Sequence, residues 1–262
     1  MKLFFKSLLI LVAVGCLFFY FFQELLLFRP GKKLSKDAVY SFPEDFEEVN
    51  LITADHETIN ALHFTLENPK GIVLFFHGNR GNLNRWGTFA PTFLQHGYEV
   101  FMMDYRGYGK STGSFHEEKM YSDALLAYEH VRKTYQEQQI IVYGYSLGST
   151  FAARIGATQH PKHVIFESPF YTMKKAVRHK FALSPVFLMR YHFPTYQEVP
   201  KISAPMTIFH GTKDPTTSFE ESQALFNLLE VEKKQFVTLE GGDHHNVPTF
   251  KEYQEVLKGI LE

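Results

Sequence analysis

The residues best suited to chemistry lie in the run Gly144-Tyr145-Ser146-Leu147-Gly148, a Gly-x-Ser-x-Gly motif. The run directly follows QIIVY, an apolar stretch typical of a buried strand, and opens a helical pattern that extends to Thr158. Glycines on both sides of the serine allow a tight strand-to-helix turn that lifts the hydroxyl out of the sheet. The helix N-terminus behind the turn offers N–H groups to a developing oxyanion. The motif therefore predicts Ser146 as a nucleophile.

A nucleophilic serine needs a base, and the base needs an acid that orients it. After such a turn the acid and then the base follow in the chain, on loops at the ends of later strands. The strand PMTIFHG leads to Asp214, and the strand KQFVTLE leads to the loop Gly-Gly-Asp-His-His. We predict Asp214 as the acid and His244 as the base, because two glycines and one further residue before His244 give the usual loop length. His245 remains an alternative base, and Glu167, at the end of HVIFE, an alternative acid.

An oxyanion hole in this arrangement combines the N–H after the nucleophile with one from the loop after the first parallel strand. The first of these belongs to Leu147. The loop is His77-Gly78-Asn79-Arg80-Gly81-Asn82, whose glycines let the backbone turn its donors inward. We predict Asn79 as the second donor and a structural role for His77.

Other chemistries fit the sequence poorly. Gly109-Lys110-Ser111 imitates the end of a phosphate-binding loop, but Asp104 stands where the first glycine is required. His160 and His163 have a metal-like spacing with no evident third ligand. Lys and Arg number 27 against 28 Asp and Glu, which argues against nucleic-acid binding, and one cysteine forms no internal disulfide. The predicted mechanism needs no cofactor and no metal.

Strands and helices alternate around these residues, which predicts an α/β fold with a mostly parallel, doubly wound sheet. Residues 47–67 alternate polar and apolar side chains about a turn near Asp55, which predicts an N-terminal antiparallel hairpin. Helices are expected over residues 84–95, 117–135, 146–158, 219–230 and 249–261. Residues 169–200 break the rhythm with an aromatic and basic stretch, which predicts a short lid insertion. Its rings at Phe170, Tyr171, Phe181, Phe187 and Phe193 are candidates for an acyl pocket or a bilayer contact, with plain packing as the alternative.

The N-terminus predicts a membrane anchor over residues 1–28, followed by a basic linker over 29–45 and the catalytic domain over 46–262. Residues 7–22 carry no charge and are apolar almost throughout. Sixteen helical residues span about 24 Å, short of a bilayer core of about 30 Å, but snorkelling of Lys6 and the run Leu25–Phe28 extend the span. A cleaved signal peptide, a lipoprotein acylated at Cys16 and a buried core helix are the competing interpretations. Basic residues flank both sides, so the orientation stays open.

The motifs together resemble the α/β-hydrolase superfamily. The resemblance lies in Gly-Tyr-Ser-Leu-Gly, His-Gly-Asn-Arg-Gly-Asn and the run Asp104-Tyr-Arg-Gly-Tyr-Gly109, and it extends from about Gln23 to the C-terminus. More narrowly, the chain is similar to small serine hydrolases with an N-terminal membrane anchor, related to ABHD-type depalmitoylases and to bacterial anchored hydrolases. The resemblance implies a Ser–His–Asp hydrolase with a short lid that acts on esters or thioesters. The chain departs from the group at His245, where an asparagine more often follows the catalytic histidine.

The sequence thus predicts a single-pass membrane serine hydrolase of a small-molecule or lipid-like acyl ester, with Ser146, His244 and Asp214 as its triad. A peptidase or amidase of the same superfamily is the first alternative, since it would share every catalytic residue. A non-catalytic anchored scaffold is the second. The sequence leaves the physiological substrate and the oligomeric state open.

Overall fold

An eight-stranded sheet forms the centre of the protein. The computed structural model describes residues 1–262, apart from the side chains of residues 2 and 3. The strands in chain order are β1 (Phe46–Ile52), β2 (Thr58–Phe64), β3 (Gly71–Phe76), β4 (Tyr98–Met103), β5 (Ile140–Tyr145), β6 (His163–Glu167), β7 (Met206–Gly211) and β8 (Lys234–Leu239). Their spatial order is β1-β2-β4-β3-β5-β6-β7-β8. β1 and β2 form an antiparallel hairpin, β2 is antiparallel to β4, and the other neighbours are parallel. The predicted fold class is confirmed.

The strand order reverses at β3. From β3 the chain passes to β4 on one side and later returns to β5 on the other side. In open α/β sheets such a reversal leaves a crevice outside the carboxyl ends of the two strands, and ligands bind there. The loop that contains Asn79 follows β3, and the turn that contains Ser146 follows β5. The topology therefore brings both predicted site segments to one crevice.

Nine helices are found in the part of the chain that the structure describes. They are α1 (Lys2–Leu27), α2 (Leu83–Trp86), α3 (Pro91–Leu94), α4 (Glu117–Arg132), α5 (Gly148–Thr158), α6 (Met173–Lys180), α7 (Thr195–Glu198), α8 (Phe219–Asn227) and α9 (Lys251–Leu261). Short 3₁₀ turns lie at Gly87–Phe89, Glu137–Gln139, Val186–Leu188, Val199–Lys201 and Val247–Thr249. The segment predicted as a lid, residues 169–200, contains α6, α7 and the turn Val186–Leu188, and it ends within the turn Val199–Lys201.

The single helix predicted over residues 84–95 is wrong. The structure has α2, a 3₁₀ turn and α3 in its place. Gly87 lies against the ring of Phe42 so closely that a Cβ there would collide with it. Pro91 has no N–H to donate to the preceding turn, so it begins a new helix instead of continuing one.

Apolar side chains from the two faces of the sheet form two cores. Leu74 and Val142 belong to the core beneath α4 and α5, whereas Val73 and Ile141 belong to the core beneath α2, α3 and α9. Successive residues of a strand point to opposite faces, so a strand covered on both sides must be apolar at every position. This is why β3 and β5 appear in the sequence as continuous apolar runs.

Most of α1 lies outside this body. The most apolar 18-residue window within Phe4–Leu27 has a mean hydropathy of 2.2, and only 6% of that window is buried. Side chains along its length, such as Leu11 and Phe21, are exposed. Only the last turns pack against the body, through the buried residues Phe19, Gln23 and Leu27.

Candidate active site

Ser146 occupies a strained backbone position at the turn between β5 and α5. Its φ is +51°, in the left-handed region that side-chain-bearing residues rarely adopt. The flanking glycines make room for this turn. A Cβ at Gly144 would lie 2.5 Å from the Cα of Ser149, and one at Gly148 would collide with the carbonyl oxygen of Phe76. The tight packing around the turn thus explains why the motif requires glycine on both sides of the serine.

Ser146, His244 and Asp214 form one hydrogen-bonded chain. The Oγ of Ser146 lies 3.0 Å from Nε2 of His244, and Nδ1 of His244 lies 2.7 Å from Oδ2 of Asp214. The backbone N–H groups of Thr216 and Thr217 donate to Oδ1 of Asp214 at 2.7 and 3.0 Å. All three predicted triad residues are more than nine-tenths buried. The arrangement fits a carboxylate that orients an imidazole toward a serine hydroxyl.

The Asp214 carboxylate faces two histidines. Burial alone would raise the pKa of Asp214, but hydrogen bonding from His210 and His244 outweighs it and holds the pKa well below its usual range. His210 Nε2 lies 3.4 Å from Oδ2 of Asp214, and both side chains are fully buried. Sequence reasoning missed His210. Its only signal was its place in PMTIFHG, four residues before Asp214 at the end of the same strand.

His245 takes a different position from His244. The hydroxyl of Tyr145 donates to the backbone carbonyl of His244 and lies 3.1 Å from Nδ1 of His245. Burial, followed by the charges of His244 and Arg85, lowers the pKa of His245. The geometry therefore presents His244, and not its neighbour, to Ser146.

The loop after β3 places Asn79 at the cavity that contains Ser146. Both Asn79 and Leu147 line the cavity that contains Ser146. Across the described residues, neither backbone N–H donates to a protein acceptor. The carbonyl of Asn79 accepts hydrogen bonds from the N–H of Arg29 and the hydroxyl of Tyr108, each at 2.9 Å. The side-chain amide of Asn79 donates to the carbonyl of Leu27 at 2.8 Å. The end of α1 thus holds this loop in position.

Glu167 does not reach the imidazole of His244. Its carboxylate accepts a hydrogen bond from the hydroxyl of Tyr143, while its backbone carbonyl accepts the N–H of Ser146 at 2.9 Å. Burial raises the pKa of Glu167 to about 8. The side chain of Glu167 is buried below the site, and burial favours the neutral carboxyl over the charged carboxylate.

The other motifs have structural partners. Lys110 forms an ion pair with Glu48 at 2.7 Å, so it is not available to a phosphate. His77 is buried beside Asp104, with Nε2 3.3 Å from Oδ1. No group of three His, Cys, Asp or Glu side chains suited to a metal ion is found in the described part of the chain.

A cavity of about 870 Å³, including its open mouth, lies over Ser146. The apolar part of its wall comes from the end of α1 and from the predicted lid, chiefly Leu26, Phe170, Met173 and Val177. Of the aromatic residues singled out in the sequence, Phe170 and Phe181 line the cavity. The other three lie elsewhere: Phe193 is buried in the core, Phe187 is exposed, and Tyr171 stacks on Tyr196.

A doubly wound sheet with a serine at the turn after its central strand, followed in the chain by an aspartate and by a histidine that contacts both, defines an α/β-hydrolase. The family described as serine aminopeptidase, S33, matches residues 67–197, which is half of the chain. The chain belongs to this family, and it is a serine hydrolase of the ABHD type.

Comparisons with individual proteins agree with this assignment. Alpha/beta hydrolase domain-containing protein 17B of Homo sapiens is 29% identical over 197 residues, which cover 74% of this chain and 67% of that protein. Protein bem46 of Schizosaccharomyces pombe is 27% identical over an alignment of 267 positions with gaps, which covers 96% of this chain and 89% of that protein. The Pyrococcus furiosus esterase Pf2001 superposes with a TM-score of 0.71 at 19% identity, covering 87% of this chain and 98% of that one. At that identity the structural similarity shows the fold alone.

Proposed function

We propose that this serine hydrolase cleaves esters or thioesters through Ser146, His244 and Asp214, by way of an acyl-enzyme, while α1 holds it in a membrane. The observation that carries the catalytic part is the hydrogen-bonded chain from Oγ of Ser146 to Nε2 of His244 and from Nδ1 of His244 to Asp214. It lies at the carboxyl ends of the strands, where the strand order reverses and ligands bind.

The proposed reaction has two halves. His244 Nε2 takes the proton of Ser146 as Oγ attacks the acyl carbon, and the tetrahedral intermediate then expels the leaving group, which takes that proton from His244. Water next attacks the acyl-enzyme and gives a proton to Nε2, which returns it to Oγ as the acid departs. Asp214, ionised because its pKa is low, keeps Nδ1 protonated and stabilises the imidazolium. General base catalysis of this kind contributes about 10² to 10⁴ in rate.

The N–H groups of Leu147 and Asn79 form the proposed oxyanion hole. Both residues line the cavity beside Ser146, and Leu147 directly precedes α5, whose N-terminal dipole favours negative charge. One such donor contributes about 10² to 10³ in rate. The hydrogen bonds from Arg29 and Tyr108 to the carbonyl of Asn79 fix the peptide that precedes Arg80 and so limit movement of the loop.

The exposure of α1 supports the proposed membrane anchor. A helix of 24 residues is about 36 Å long, which is enough to cross a hydrocarbon core of about 30 Å. Its apolar side chains are exposed along almost the whole length, whereas a core helix would bury them. A matched pair of charge substitutions tests the anchor. Val12→Asp introduces a charge near the middle of the span and should shift the protein from the membrane fraction, whereas Val39→Asp, at an exposed site beyond the helix, should not.

An aminopeptidase is the second candidate, because the matching family is described as one. An aminopeptidase must bind a free α-ammonium group, which requires a carboxylate in the substrate pocket. Among the cavity-lining residues, all in the described part of the chain, none is Asp or Glu. This lining favours an ester or thioester over a peptide N-terminus.

The proposed activity is tested on full-length protein in detergent. A fluorophosphonate probe should form an adduct on Ser146, located by mass spectrometry. Labelling should slow about a hundredfold or more in His244→Ala and change less than about threefold in the matched variant His245→Ala. Hydrolysis of a p-nitrophenyl ester should exceed that of an aminoacyl anilide. An adduct that survives Ser146→Ala would refute the assignment, and a folded protein that does not label would favour a non-catalytic scaffold.

A further inference from the structure

Four basic side chains line the cavity over Ser146, and its described lining contains no acidic one. They are Arg29, Arg80, Arg85 and Lys180. They come from four separate segments: the residues just after α1, the loop after β3, helix α2 and the end of α6. The whole chain has a formal net charge of −1, so this concentration does not reflect a general excess of positive charge.

None of these four side chains has an acidic partner in the part of the chain that the structure describes, whereas two basic residues of the lid do. In the same predicted lid, Lys175 lies 3.6 Å from Glu221 and Arg190 lies 2.9 Å from Glu24. Within the described residues, no carboxylate comes within ion-pair distance of any of the four cavity cations. Unpaired like charges around one cavity repel each other, and a bound anion relieves that repulsion.

Two of the cations are tied to the catalytic apparatus. The guanidinium carbon of Arg85 lies 5.2 Å from the centre of the Trp86 ring, which itself lines the cavity. After burial and the charge of His244, the charge of Arg85 contributes to the lowered pKa of His245. The backbone of Arg29 donates to Asn79 and accepts from Gly81 at 2.9 Å each, so its side chain begins beside the proposed oxyanion loop.

We propose that the cavity selects acyl substrates whose leaving group carries an anionic group, a carboxylate or phosphate, near the scissile bond. The inference rests on the proposed function, because it assigns the leaving group of that same reaction. The apolar wall from α1 and α6 takes the acyl chain. Arg80 and Arg85 take the anion, because Arg80 follows the proposed oxyanion donor Asn79 and Arg85 lies near enough to His245, the neighbour of the proposed base, for its charge to act there. The anion is either part of a soluble carrier or the headgroup of a lipid.

A matched pair of thioesters tests the inference on full-length protein in neutral detergent. Butanoyl thioesters of 3-mercaptopropionate and 3-mercaptopropionamide have nearly the same shape and differ by one charge. After normalisation to hydroxide-catalysed hydrolysis, kcat/KM for the carboxylate should exceed that for the amide by about tenfold at low salt. The ratio should approach one in 0.5 M NaCl, where screening is strong.

Substitutions of the basic residues test whether the cavity causes the preference for the charged thioester. Arg80→Gln and Arg85→Gln should each lower the carboxylate-to-amide ratio by about two- to fivefold, Lys180→Gln by less because it lies on the wall that takes the acyl chain, and the triple variant by more than any single change. Lys251→Gln, which removes an exposed lysine on α9 away from the cavity, should leave both activities unchanged. A ratio near one in the wild type for both this pair and the lipid pair described next, or a preference that the triple variant does not lower, would overturn the inference.

A second pair of substrates distinguishes a soluble carrier from a lipid headgroup as the source of the anion. Lysophosphatidic acid and monoacylglycerol carry the same acyl ester with and without an adjacent phosphate. Preference for the charged member of the soluble pair supports a soluble carrier, and preference confined to the lipid pair supports a lipid headgroup. Turnover without charge preference in either pair refutes this inference alone. Absence of Ser146-dependent turnover of all four substrates refutes the proposed function and the inference with it.

Discussion

Glu167→Gln should make the protein more stable than the wild type above neutral pH. Glu167 is 1% exposed, and within the described structure its Oε1 has no hydrogen-bond partner. Burial is the main cause that raises the pKa of Glu167 to about 8. The hydrogen bond from Tyr143 lowers this pKa, and the charge of Asp214 raises it further. The buried carboxyl is therefore protonated in the folded protein near pH 7, whereas the unfolded chain has an ordinary carboxylate.

The sign of the effect follows from proton binding. Between the unfolded pKa of 4.5 and the folded pKa of about 8, the folded state binds more protons at Glu167 than the unfolded state does. Stability therefore falls as pH rises through this window, and the loss is complete above the folded pKa. A difference of about 3.5 pKa units corresponds to about 5 kcal/mol, as an order of magnitude. Glutamine keeps the shape of the protonated acid and does not titrate, so this loss disappears in the variant.

Urea unfolding at pH 5 and pH 8.5, followed by the fluorescence of the single tryptophan, measures the effect. The wild type should lose several kcal/mol more unfolding free energy between the two pH values than Glu167→Gln, because the other groups titrate alike in both proteins. Glu255→Gln, at an exposed position on α9, is the matched control and should follow the wild type. Equal pH dependence in wild type and Glu167→Gln would refute the reasoning about burial of this carboxyl.

Three further predictions follow from the site. Asp214→Asn should lower kcat by about 10⁴ while circular dichroism stays native, because the amide favours the wrong tautomer of the imidazole; a loss below tenfold would contradict the proposed role. Gly148→Ala should lower the melting temperature of the protein, because its Cβ would meet the carbonyl at the end of β3, whereas Gly259→Ala, with open space on α9, should not. Asn79→Asp should lower kcat more than it raises KM, because the new carboxylate repels the carbonyl of Leu27 and moves the loop; an unchanged kcat would argue against the coupling between α1 and this loop.

Much of the fold was predictable because it depends on local patterns. β3 and β5 are buried on both faces, so each had to be a continuous apolar run, and such runs alternate with amphipathic helices along the chain. The prediction of one helix over residues 84–95 was wrong because the interruption at Gly87 depends on a contact with Phe42, which is distant in sequence. Periodicity within a segment contains no information about such a contact.

Part of the candidate site was likewise predictable from local patterns, and part depended on the tertiary structure. Ser146 was recognisable because the turn that exposes it needs glycines at fixed neighbouring positions, and Asp214 because it follows the end of a strand. The choice between His244 and His245 depended on one residue of offset within a loop, which only the tertiary structure resolves into a 3.0 Å approach to Ser146. The catalytic roles of these residues remain predictions that the probe and the variants test.

The sequence by itself determined the apolar α1, the mostly parallel sheet and the order of serine, aspartate and histidine. Each of these was recognisable from a short segment: an apolar run, a strand-like or helical pattern, or the residues that directly follow a strand. Only the tertiary structure decided that His210 faces Asp214, that the end of α1 binds the loop of Asn79, and that Glu167 is buried without a charged partner. These features join residues far apart in the chain. Their energies depend on distance and burial in the folded protein, and neither quantity is encoded in any single segment.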